Sequence, residues 1–145
     1  MKTLFFITIL LTLTFSACTS NEGANAEERR VNYAEFIDEP TEITFTEVAY
    51  DFGTIEEGDM VKHTFTFTNT GESSLVLLAV NTSCGCTVPE DWPKSPIMPG
   101  ETGQVKVIFN SDGKSGKINK SVRIEANTNP SVTTVNIIGE VKAAE

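Results

Sequence analysis

The residues of this chain best suited to chemistry are its three cysteines, its single histidine and its single tryptophan. Cys84 and Cys86 flank Gly85. In an extended strand, residues two apart share a face, with α-carbons about 6.6 Å apart at about 3.3 Å per residue. A disulfide prefers about 5.5–6 Å, and a bend at Gly85 supplies the difference. The ring so closed is small, strained and therefore reducible. Half-buried cysteines are usually structural, so a disulfide or a pair of buried thiols is the expectation. Two other chemistries fit the same residues. Two thiolates on one face suit Cu(I) or Zn(II), but a closed site needs further ligands, from His63, Met60 or Met98. A thiol-redox centre is the third, although nothing basic adjoins the motif and Glu90-Asp91 would raise a thiol pKa.

His63 falls in register with Val61, Phe65 and Phe67, so it points to the core or its rim. A lone histidine on an apolar face is more often a hydrogen-bonded core residue than a ligand or base. The chain carries no nucleophile elbow, no His-Glu-x-x-His and no glycine-rich phosphate loop, and an enzyme is not expected. Trp92 lies in Thr87-Val88-Pro89-Glu90-Asp91-Trp92-Pro93-Lys94-Ser95-Pro96, where three prolines exclude a central strand. An exposed Trp92 would anchor a partner. A buried one would cap an end of the domain, the favoured expectation.

The third cysteine, Cys18, belongs to a targeting signal. Lys2 is followed by an apolar run from Leu4 to Phe15, too short for a membrane span of about 20 residues. Ser16 and Ala17 then precede Cys18, as a lipoprotein signal peptidase requires. Residues 1–17 are read as the signal peptide, with lipid on the Cys18 thiol. Residues 18–40 are polar and end at Pro40; they read as a tether.

Removing residues 1–17 takes away one base, Lys2, and no acid, so 11 basic and 20 acidic residues become 10 and 20, a formal charge of −10. Such a surface repels phosphate backbones and anionic lipids, which argues against nucleic acid as a partner. Attachment to the membrane then rests on the lipid.

The elements that position Cys84, Cys86, His63 and Trp92 have period two. In Val61-Lys62-His63-Thr64-Phe65-Thr66-Phe67-Thr68, apolar and polar residues alternate, as in a strand with one buried and one wet face. Val105–Phe109, Val122–Ala126 and Val135–Ile137 alternate likewise. Leu75–Val80 is apolar on both faces, which suits a central or covered strand. Glu56–Asp59, Asn69–Gly71, Met98–Gly100, Asp112-Gly113 and Asn127–Pro130 are turn signals between them. Residues 41–142 are expected to form one all-β domain, an immunoglobulin-like antiparallel β-sandwich of about seven strands. The widely spaced cysteine pair of antibody domains is missing, so Phe52, Phe65, Phe67 and Phe109 must fill the core without it.

Asp51-Phe52-Gly53-Thr54-Ile55, Gly58, His63, Phe65, Phe67 and Asn69-Thr70-Gly71 resemble the opening of a bacterial domain-of-unknown-function family, numbered fifteen-seventy-three. Ser83-Cys84-Gly85-Cys86-Thr87, Pro99-Gly100, Phe109-Asn110 and Gly113-Lys114-Ser115-Gly116 continue the likeness over about residues 45–141. Ser74 departs from it, standing where proline is frequent. The resemblance implies export and a fold similar to Hydin-type and sperm-protein-type domains, which bind other proteins. It implies no activity. The expected function is a non-catalytic binding or scaffolding module of a bacterial envelope lipoprotein. It would sit at the periplasmic face or cell surface, with an envelope protein or polymer as partner. The alternative is a metal-binding or thiol-handling envelope protein using Cys84 and Cys86.

Overall fold

The computed structural model describes Phe36 and residues 38–143. The signal segment 1–17, Cys18 and nearly all of the tether lie outside the described residues.

Eight strands follow one another: β1 (Ile43–Phe45), β2 (Ala49–Glu56), β3 (Met60–Asn69), β4 (Leu77–Thr82), β5 (Thr87–Asp91), β6 (Thr102–Asn110), β7 (Gly116–Ala126) and β8 (Val132–Lys142). They form two four-stranded sheets, ordered β1-β3-β6-β5 and β2-β8-β7-β4. The immunoglobulin plan of seven strands is visible with one change. Its first strand is split, so that β1 pairs with β3 in one sheet and β2 with β8 in the other. The split explains eight strands where the sequence suggested about seven. It also corrects the purely antiparallel expectation, because β2 runs parallel to β8.

Alternation does the burying. Along β3, Phe65 and Phe67 are fully buried while Lys62 faces water. Phe109 and Val105 on β6 meet Val122, Ile124, Val135 and Ile137 of the opposite sheet in one core. Burying each phenylalanine contributes about 1.5–3 kcal/mol. Phe52 reaches across from β2 to stack on Phe109, ring centroids 5.6 Å apart. Gly139 makes room for it, since a Cβ there would run into the Phe52 ring.

The strand expected over Leu75–Val80 differs. Leu75 instead pairs with Ile97 in an isolated bridge, and β4 begins at Leu77. It is an edge strand, with a bulge between Leu77 and Ala79. The segment from Leu75 passes from the sheet of β3 to the sheet of β4, which accounts for its apolar character: Leu75, Val76, Leu77 and Val80 are buried, and Leu78 is exposed.

Candidate functional site

The chain enters the sandwich at one pole. There Thr41 donates its N–H to the Asn127 carbonyl at 2.9 Å and its hydroxyl to Asn69 Oδ1 at 2.9 Å. Both asparagines are buried. Asn69 Nδ2 donates to the carbonyls of Ser73 and Ile97, and its Oδ1 also accepts the Gly71 N–H. Asn127 Oδ1 accepts the Val76 N–H at 2.7 Å, and its Nδ2 faces the carbonyls of Ser74, Phe36 and Glu39. A buried amide costs free energy unless its groups are paired, and here they are. The sequence showed these asparagines only as turn residues. A clue lay in their placing, since each directly ends an alternating strand.

Cys84 and Cys86 lie at the opposite pole, in the turn from β4 to β5. They are not in an extended strand. The turn brings their α-carbons to 5.3 Å, and a disulfide joins them. Other bonds hold this turn as well. The Ser83 N–H donates to the Ser121 carbonyl at 3.0 Å, and the Ser121 N–H to Ser83 Oγ at 3.2 Å. The Asn110 N–H donates to the Cys86 carbonyl at 2.8 Å. Thr82 Oγ1 is within donating distance of the carbonyls of Cys84 and Thr87. Cys84 Sγ sits 3.9 Å from the hydroxyl of buried Thr87. A loop of three residues removes little entropy from the unfolded chain, worth about 1.6 kcal/mol on the chain-entropy model.

His63 is not brought to the cysteines. It lies on β3 opposite Val107, which is itself opposite Pro89 on β5. Two strand spacings and three residues put His63 and Cys86 roughly 14 Å apart at Cα. Instead His63 Nε2 lies 2.8 Å from Glu47 Oε1. Its ring stacks on Tyr50 at 3.7 Å and meets Phe65 edge-on at 4.7 Å. Glu47 sits in the crossover between β1 and β2, so His63 fastens the point where the first strand changes sheets. Met98 is at the entry pole, where Ser74 Oγ approaches its sulfur at 3.6 Å. Met60 is exposed and opposite Asn110, on the same cross-sheet row as Cys86. Among the described residues, no three His, Cys, Asp or Glu side chains are grouped to hold a metal ion.

Trp92 is half-buried and packs against the core. The Lys94 ammonium lies 2.8 Å from the centre of its ring. Desolvation pulls that ammonium below the ordinary lysine range, and Asp91 opposes the shift. The remaining edge of Trp92 borders an open depression of about 420 Å³ with Asp91, Pro93, Thr102, Gly103, Gln104 and Lys106. On the outer face of the same sheet, Val88 stands opposite Ile108, and Met60 is diagonal to it. Val88 and Met60 are 53% and 61% exposed, which makes this a small apolar patch beside the cysteine turn.

A family model described as protein of unknown function, DUF1573, matches residues 43–141. No curated protein matches the chain in sequence. Among solved structures, a protein of unknown function from Porphyromonas gingivalis W83 is similar at TM-score 0.60 and 17% identity, over 70% of this chain and 47% of that one. The secreted serine protease VesC from Vibrio cholerae is similar at TM-score 0.58 and 13% identity, over 75% of this chain and 25% of the protease. The ASH/PapD-like domain 7 of human CEP192 is similar at TM-score 0.53 and 15% identity, over 73% of this chain and 89% of that domain. The chain thus spans about half of the first protein and a quarter of the second. At these identities the likeness shows the fold alone, an immunoglobulin-like β-sandwich.

Proposed function

We propose, from the premise that the chain belongs to the DUF1573 family of unknown function, that it is an envelope lipoprotein whose sandwich is a non-catalytic binding or scaffolding module. Lipid on Cys18 would hold it to the membrane at the periplasmic face or cell surface. One observation carries the reading. The chain enters at the pole built on Asn69 and Asn127, while the patch of exposed Met60 and Val88 with half-buried Ile108 lies toward the other pole. A tether ending at the first pole would leave that patch free to face away from the membrane. The partner this arrangement suits is another envelope protein, gripped through an apolar contact on a net acidic domain.

A photo-crosslinking residue placed at position 88 tests this in intact cells. One discrete protein adduct is expected there, and none from the same residue at position 129 on the entry pole. Equal labelling at both positions, or no adduct at 88, overturns the reading.

A further inference from the structure

The disulfide contributes little that the turn around it lacks. Ser83 and Ser121 exchange two hydrogen bonds, the Asn110 N–H donates to the Cys86 carbonyl, and the one hydroxyl proton of Thr82 serves the carbonyls of Cys84 and Thr87, so residues 83–87 are held without the bridge. The bridge spans only two positions of sequence, so it constrains the unfolded chain weakly. Breaking it is expected to leave the turn in place. Thr87 adds a directional element, because its hydroxyl lies 3.9 Å from Cys84 Sγ. A thiolate leaving at Cys84 would find a hydrogen-bond donor beside it, which favours departure.

We infer that the Cys84–Cys86 turn is a thiol–disulfide exchange site for cysteine-bearing polypeptides. This goes beyond the binding role, which stands without it. The protein acts as a reagent, consumed once per pair of electrons. A partner thiolate attacks Cys86 Sγ and forms a mixed disulfide. The Cys84–Cys86 bond breaks, and its electron pair leaves on Cys84 Sγ, which takes a proton from solvent. A second thiolate of the partner attacks the partner's own sulfur in the mixed disulfide. Its disulfide forms, and Cys86 leaves as a thiolate that is protonated in turn. The partner dithiol is oxidised by two electrons, and Cys84–Cys86 is reduced by two.

The test uses the full-length protein, extracted from membranes in detergent without reductant and equilibrated with reduced and oxidised glutathione. Intact mass reads the two hydrogens gained, and circular dichroism reads the fold. Reversible reduction at glutathione ratios that leave ordinary structural disulfides intact is expected, with an unchanged spectrum. Resistance to glutathione, or unfolding on reduction, overturns the inference. A synthetic peptide thiol with one cysteine, reacted with the oxidised protein and quenched by alkylation, then reports direction: the peptide is expected on Cys86 and the alkyl group on Cys84, in at least tenfold excess over the reverse. Equal or reversed labelling overturns the assignment. The crosslink at position 88 in a Cys84→Ser/Cys86→Ser background separates the two ideas: its loss there would fault the binding reading's independence, while its persistence leaves the exchange chemistry to stand or fall on the glutathione result.

Discussion

Asn127 Nδ2 lies 3.0 Å from the carbonyl oxygen of Phe36, ninety-one residues earlier in the chain. The same amide reaches Ser74 and Glu39, and its oxygen takes the Val76 N–H. One side chain therefore ties the segment before β1 to the start of β4. Asn127→Ala leaves several buried groups without partners, each loss costing about 1–3 kcal/mol. A destabilisation of about 2–4 kcal/mol is expected in denaturant melts. Hydrogen exchange should show faster opening around Thr41 and Val76 than in β6. Uniform protection in the variant would contradict the tie.

Gly139 and Phe52 form a second coupled pair. Gly139 has φ of +155°, and a Cβ would meet the Phe52 ring. Gly139→Ala is expected to cost about 1–3 kcal/mol, as overpacking does. In a Phe52→Leu background the same change should cost less, because the smaller side chain yields space. Additive effects in the double-mutant cycle would show that the ring is not what Gly139 accommodates.

The core was legible in the sequence because burial follows the period-two pattern, and β3, β6, β7 and β8 carry it plainly. The turns were legible through their glycines and prolines. The split of the first strand was not, since nothing in Thr46-Glu47-Val48 distinguishes a sheet change from an ordinary loop. Leu75–Val80 misled for a related reason: a segment passing between sheets buries both faces without being central. At the site, the proximity of Cys84 and Cys86 was readable from spacing alone. The distance of His63 from them depends on strand order, which one sequence does not reveal. Asn69 and Asn127 looked like turn residues because their side-chain acceptors and donors lie far off in sequence.

Trp92 packs on the core yet keeps an edge on an open depression. Trp92→Ala should destabilise by about 2–4 kcal/mol, toward the range for large-to-small core changes. At about 4–8 °C per kcal/mol for a domain of this size, the fall in Tm is readily measured. Trp92→Phe should restore most of it. Full stability in Trp92→Ala, with loss of the adduct at position 88, would make the residue a partner anchor and not a cap.

Cys18 offers the test of localisation. Several acyl chains on one residue would hold firmly, where a single chain binds marginally. Cys18→Ala should move the protein from the membrane fraction to the soluble exported fraction, with its melting unchanged. Retention in the membrane fraction would assign the anchoring to something other than lipid at that thiol.

His63 separates a structural role from a chemical one. Its ring lies between Tyr50 and Phe65, and its Nε2 meets Glu47, whose side chain is 42% exposed. An aromatic contact of this kind is worth about 0.5–1.5 kcal/mol beyond burial. His63→Ala, which loses the stack and leaves a void, should cost about 2–3 kcal/mol. His63→Phe keeps the stack and releases Glu47 to water, where a half-exposed pair contributes about 0–1 kcal/mol. Its melting should therefore stay close to wild type, and the position 88 adduct should survive. If His63→Phe abolished that adduct at full stability, the imidazole itself would be a functional group and not the brace of the β1–β2 crossover.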